Sequence, residues 1–84
     1  MAYTVILKRS AERELDRLSA QIHERIARKL LELEDNPRPR GVQKLHVRDR
    51  YRIRIGEYRV LYVIDDRAQM MEIVAVGHRR DVYR

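Results

Sequence analysis

The sequence predicts an α+β fold in a single domain spanning residues 1–84: an N-terminal strand and a two-helix hairpin packed on one face of a mainly antiparallel four-stranded sheet. Three observations predict it. Apolar residues recur at helical spacing between Ala11 and Leu33. Segments rich in β-branched and aromatic residues lie before and after that stretch. The last three such segments are joined by turns so short that neighbouring strands must run antiparallel.

Tyr3 to Leu7 opens the chain as a strand. Ser10 is the expected N-cap of a first short helix, with Glu12 and Glu14 in the turn that follows and Ala11, Leu15 and Leu18 on its apolar side. Ser19 caps a second helix. There Ile22, Ile26, Leu30 and Leu33 form one stripe, flanked by Ala27 and Leu31. This helix stops near Asn36, because Pro37 disfavours helical geometry in the residue before it. Helices linked so briefly form an antiparallel hairpin. Pro37-Arg38-Pro39-Arg40-Gly41 is a loop, and Val42 to Val47 fits more than one assignment. Tyr51 to Ile55 alternates with period two, Gly56-Glu57 is a tight hairpin turn, and Tyr58 to Ile64 is the next strand. Asp65 to Gln69 turns the chain into a last strand from Met71 to Val76.

Charge separates the two halves. Residues 1–36 hold seven Lys/Arg and seven Asp/Glu, so the other twelve Lys/Arg and six Asp/Glu place the whole net charge of +6 in residues 37–84. A neutral scaffold followed by a basic sheet suits a polyanion, with RNA or DNA foremost. The chain has no cysteine, which excludes a disulfide framework and a Cys-based zinc site and fits a reducing cytoplasm. The N-terminal apolar run lacks a charged region before it and a cleavage site after it, and no run approaches the ~20 residues that span a bilayer. A soluble cytoplasmic protein is therefore expected, with no membrane partner. Glycines at 41, 56 and 77 match no phosphate loop, and His23, His46 and His78 are too scattered for a metal site, so neither cofactor nor metal is expected. The acidic residues read as solvated helix faces.

The arginines carry the chemistry. In Tyr51-Arg52-Ile53-Arg54-Ile55 the isoleucines face the helices and Arg52 and Arg54 face the open side. Read alone, these two are a solvated strand face that blunts an edge. Arg59 sits in an apolar strand, where a charge needs a reason. That strand is apolar on both sides, with Leu61 and Val63 beside Arg59, so its open face is left for the C-terminal tail or a partner protein to cover. The hairpin brings Arg52, Arg54 and Arg59 onto neighbouring strands. With the basic tail His78-Arg79-Arg80-Asp81-Val82-Tyr83-Arg84 folded over them, they form a cluster that repels itself unless an anion is present.

The order strand, helical hairpin, Asn36-Pro37-Arg38-Pro39 with Gly41 and Lys44-Leu45, Tyr51-Arg52-Ile53-Arg54, Glu57-Tyr58-Arg59-Val60-Leu61-Tyr62 and Val76-Gly77-His78-Arg79-Arg80-Asp81-Val82-Tyr83 resembles the RelE toxins of the RelE/ParE superfamily. The resemblance covers essentially the whole chain, and the last two motifs together are fairly specific. It implies the toxin of a type II toxin–antitoxin system, a metal-independent endoribonuclease that cleaves mRNA in the ribosomal A site. Its partners would be the ribosome, the message and a cognate antitoxin, and any DNA binding would run through the antitoxin complex.

Carried over by position, the catalytic set is Arg52, Arg54, Arg59, Arg79 and Tyr83, with Lys44, Arg50, His78 and Arg80 as nucleic-acid contacts. The best-known members carry lysines where this chain has Arg52 and Arg54, and some have a longer tail between the positions of Arg79 and Tyr83. ParE-like relatives share the scaffold but poison DNA gyrase without cutting RNA, and generally lack the five-residue set. RNA is cut when a 2′-hydroxyl attacks the adjacent phosphorus, which needs a proton acceptor, stabilisation of the phosphoryl oxygens and a donor for the leaving 5′-oxygen. Arginines stabilise charge but are poor bases. The base is thus Tyr83, His78 or a ribosomal group, and Tyr83 is equally suited to stacking on a nucleobase.

Overall fold

The predicted strands and helices form in their predicted order, with one addition. The computed structural model describes residues 2–46 and 48–78. Strand β1 (Thr4–Leu7) is followed by helices α1 (Arg9–Asp16) and α2 (Ala20–Asp35), a two-residue strand β2 (Gln43–Lys44), and strands β3 (Arg50–Ile55), β4 (Tyr58–Asp65) and β5 (Met70–His78). The strands form one five-stranded sheet in the order β1-β5-β4-β3-β2. β1 runs parallel to β5 and the other pairs are antiparallel. The expected four-stranded sheet gains β2 as an edge strand. A two-residue strand is too short to show a period in sequence.

Each element follows from local chemistry, with one correction. α1 does not use Ser10 as its cap. The helix begins at Arg9, Lys8 holds the cap position, and no side chain caps it. The reason lies in the sheet: the Lys8 N–H donates to the Ile73 carbonyl at 2.9 Å, and the Lys8 carbonyl accepts from the Glu12 N–H at 2.9 Å. The chain passes from strand pairing straight into the first helical turn. Ser19 does cap α2, its hydroxyl accepting from the Ile22 N–H at 3.4 Å. α2 ends at Asn36, which is extended ahead of Pro37 (φ −146°, ψ 92°). Gly56 opens the two-residue β3–β4 turn at φ +61°, a geometry glycine adopts without a steric penalty.

The core lies between the helices and one sheet face. Ile26 and Leu33 of α2, Val60 and Tyr62 of β4, and Ile73 of β5 are completely buried within it. Burying side chains of this size contributes about 1.5–3 kcal/mol each. β5 carries an irregularity: Tyr62 pairs with Ile73, but Leu61 pairs with Ala75, leaving Val74 as the extra residue of a bulge. Past the bulge, Val76 and His78 fall on the helix-covered face, opposite Val60 and Tyr58, while Ala75 and Gly77 fall on the open face.

A polar clamp closes one end. The Arg38 guanidinium donates to both Asp66 carboxylate oxygens at 3.2 and 2.9 Å, and its Nε donates to the Tyr51 hydroxyl at 3.1 Å. The Tyr3 hydroxyl donates to Asp66 at 2.6 Å, and the buried Tyr62 hydroxyl donates to the Pro37 carbonyl at 2.8 Å. Arg38, and then Tyr3, hold the Asp66 carboxyl below its usual range. A lowered native pKa stabilises the fold above the unfolded value of about 4, and that contribution is lost as pH falls through the native value. We therefore expect Asp66→Asn to melt below the parent chain at pH 7, with the gap closing as pH drops below about 4. Melting curves across that range check this, and a gap independent of pH contradicts it.

Candidate nucleic-acid interface

Period-two alternation on β3 sends Tyr51, Ile53 and Ile55 into the core and Arg50, Arg52 and Arg54 to the open face. β4 answers with Tyr58, Val60, Tyr62 and Ile64 inward, and Arg59, Leu61 and Val63 outward. The register fixes three rows across the open face. One runs Arg54–Arg59–Gly77, the next Gln43–Arg52–Leu61–Ala75, and the third Arg50–Val63–Glu72–Ile6. Arg54 and Arg59 are directly opposite, and Arg52 is diagonal to Arg59. These relations place Cβ atoms roughly 4.5–5.5 Å and 7–8 Å apart, respectively.

On β5, Gly77 stands opposite Arg59 and Ala75 opposite Leu61. Small residues on β5, Ala75 and Gly77, thus stand beside the arginines, with the half-buried Val63 and the buried Leu61 on the same face. Leu61 is 8% exposed yet lies outside the main core cluster. A face that combines cations with apolar patches suits a phosphodiester chain carrying bases.

The electrostatics agree with crowded cations. Arg52 is pushed below its ordinary pKa, first by burial and then by repulsion from Arg59 and Arg54. Like charges directly opposite on a sheet are destabilising. The exposed Arg54 is steered by its Nε, which donates to the Gly56 carbonyl at 3.1 Å at the hairpin turn. The Arg50 Nε is buried with no hydrogen-bond partner among the described residues. A phosphate oxygen is a strong acceptor for guanidinium N–H groups of this kind.

Arg50, Arg52, Arg54 and Arg59 thus share one face. Two predicted contacts do not join them. Lys44 pairs with Tyr51 and so projects to the opposite side, while its neighbour Gln43 pairs with Arg52 and takes the position on the arginine face. His78 pairs with Tyr58 and sits edge-on to its ring, with centroids 5.6 Å apart, on the helix-covered side. The bulge at Val74 causes the second reversal, because one extra residue inverts the facing of all that follow. Gln43 was not among the expected contacts, and only the β2–β3 register reveals it. Arg79, Arg80 and Tyr83 lie outside the described residues. Among those described, no group of three or more His, Asp or Glu side chains is placed to hold a metal ion, and no helix is long and apolar enough to cross a membrane.

Comparison with known proteins places this architecture. Residues 5–83 match the family model of the ParE toxin of the type II toxin–antitoxin system parDE. A RelE-like toxin protein of Escherichia coli is 31% identical over 87 residues, covering 99% of this chain and 92% of the relative. The archaeal RelE–RelB complex of Pyrococcus horikoshii matches with a TM-score of 0.85 at 28% identity, over 98% of this chain and 100% of the other. The RelBE2 toxin–antitoxin complex of Mycobacterium tuberculosis matches with a TM-score of 0.84 at 31% identity, over 96% and 95%. The isolated RelE toxin of E. coli matches with a TM-score of 0.82 at 25% identity, over 92% and 84%. With its family model, its relative and its fold in agreement, the chain belongs to the RelE/ParE superfamily as a RelE-like toxin of a type II toxin–antitoxin system.

Proposed function

We propose that this toxin is a metal-independent endoribonuclease that cleaves mRNA in the ribosomal A site. The observation that carries the reading is the grouping of Arg52, Arg54 and Arg59 on one open face beside Ala75 and Gly77. In this scheme the 2′-hydroxyl of the message attacks the adjacent phosphorus and the 5′-oxygen leaves. The guanidinium groups bind the phosphoryl oxygens and stabilise the charge that builds on them, aided by Arg79. Tyr83 acts in proton transfer or stacks on a nucleobase. Arg50 and Arg80 hold the flanking backbone. With His78 turned to the helix side, Tyr83 or a ribosomal group takes the base role. The partner is a cognate antitoxin, acidic or carrying an apolar amphipathic segment, that covers the arginine face beside Leu61 and Val63. Several of the matched solved structures are complexes of RelE toxins with their antitoxins, which supports that partner.

One observation favours a second reading: the matching family model is that of the ParE toxin. On that reading the protein poisons DNA gyrase by binding. Adding purified protein to programmed ribosomes and mapping message 5′ ends separates the two. Cuts at the A-site codon that vanish with Arg59→Ala and Arg79→Ala support the nuclease. Intact message together with trapped gyrase–DNA complexes supports the second reading.

A further inference from the structure

Most acidic side chains on the two helices are exposed, but Glu14 is half-buried. Its Oε1 accepts a hydrogen bond from the Val76 N–H at 2.8 Å, across 62 residues of sequence. The sheet explains why this backbone group needs a side chain. β1 is the neighbour of β5 only from Thr4 to Leu7, and that pairing ends at Ile73. After Lys8 bonds the Ile73 carbonyl, the chain leaves the sheet and becomes α1. The last five residues of β5 therefore have a strand on the β4 side and α1 where β1 would continue. A partly buried N–H left without an acceptor costs about 1–3 kcal/mol, and the Glu14 carboxylate meets it with a charge-assisted bond.

The position of that bond matters for the arginine face. Val76 lies two residues past the bulge at Val74, is 3% exposed, and precedes Gly77, which pairs with Arg59. We propose that Glu14 is a positioning residue of the RNA-cleaving site. It fixes the end of β5, so that Gly77 keeps its register beside Arg59. Glu14 does not touch the message. It acts through the strand, and the inference rests on the nuclease reading above.

A positioning role predicts a split between rate and affinity. Arg50, Arg52 and Arg54 still bind the backbone when Glu14 is changed, so the KM for programmed ribosomes should move less than about twofold. Small misplacements of transition-state groups cost on the order of tenfold to a hundredfold in rate, so kcat should fall by about that factor in Glu14→Ala. Glu14→Gln retains an acceptor oxygen and should recover kcat to within about threefold of the parent. Amide exchange at Val76, measured by NMR, should accelerate in Glu14→Ala and return toward the parent rate in Glu14→Gln. Equal cleavage by the parent chain and Glu14→Ala, or a glutamine variant as impaired as alanine, overturns the positioning role and leaves the nuclease intact. If the parent chain itself leaves the message uncut, the nuclease reading falls and the catalytic part of this inference falls with it. The amide exchange then still decides whether Glu14 holds the strand.

Discussion

On the nuclease reading, Arg52→Ala and Arg54→Ala should each lower A-site cleavage by about 10²–10³-fold, the usual loss when one preorganised donor to a transition-state oxyanion is removed. The same substitutions should leave the unfolding free energy within about 1 kcal/mol of the parent or raise it. The physical ground is the sign of the local field. Arg52 is held below its ordinary pKa by burial and by Arg59 and Arg54, so its charged form is disfavoured by the fold. Arg54 stands directly opposite Arg59. Removing a like charge from such a pair relieves repulsion, offset by loss of the Arg54 bond to the Gly56 carbonyl. Loss of function without loss of stability marks residues kept for chemistry against the interest of the fold. Sulfate gives a cheap second readout. An anion seated among these groups raises the melting temperature by mass action, and the rise should be smaller in Arg52→Ala than in the parent. Cleavage unaffected by either substitution, or a collapse in stability that accounts for the loss, contradicts this account.

The arginine face was legible in sequence because its signal is local. Arg52 and Arg54 alternate with buried isoleucines, and a two-residue turn at Gly56-Glu57 fixes the pairing that brings Arg59 opposite Arg54. The helices were legible for the same reason, since Ile26, Leu30 and Leu33 repeat within a few turns. What escaped depends on partners far along the chain. Ser10 looks like a cap, but Lys8 is tied to Ile73 and starts the helix earlier. The parallel pairing of β1 with β5 joins segments more than sixty residues apart. Lys44 and Gln43 cannot be assigned to faces until β2 is paired with β3. His78 shows the largest consequence of one such detail. Counting by twos from Ile73 puts it on the arginine face, and the bulge at Val74 turns it to the other. The same bulge turns Ala75 and Gly77 toward the arginines, so the small residues beside them depend on a feature with no sequence signature. Glu14 was read only as an acid in a first helical turn, because its acceptor role appears once β1 is seen to end.

Ile73→Ala should be the mirror image of the arginine variants. Ile73 is 0% exposed, faces the helices, and pairs with Leu7 on one side and Tyr62 on the other. Truncating a buried isoleucine costs about 2–5 kcal/mol, the removed methylenes plus the cavity they leave. At roughly 0.05–0.15 kcal/mol per residue, a chain of 84 residues has only about 4–13 kcal/mol in total. The melting temperature should therefore fall by about 10–30 °C. Ile6→Ala is the control on the same sheet: Ile6 is 41% exposed, and its loss should stay near 0.5 kcal/mol. Denaturant titration reads both, with a lower midpoint and an unchanged slope if the native state is weakened but not rearranged. Below its own midpoint, Ile73→Ala should cut message at close to the parental rate, because nothing on the arginine face has been removed. One variant is then unstable yet active, the other stable yet inactive. Together they test whether the two faces of a single sheet divide the work, the inner face holding the fold and the outer face holding the phosphate. Cleavage lost in Ile73→Ala while the chain is still folded would show instead that the core sets the geometry of the arginines.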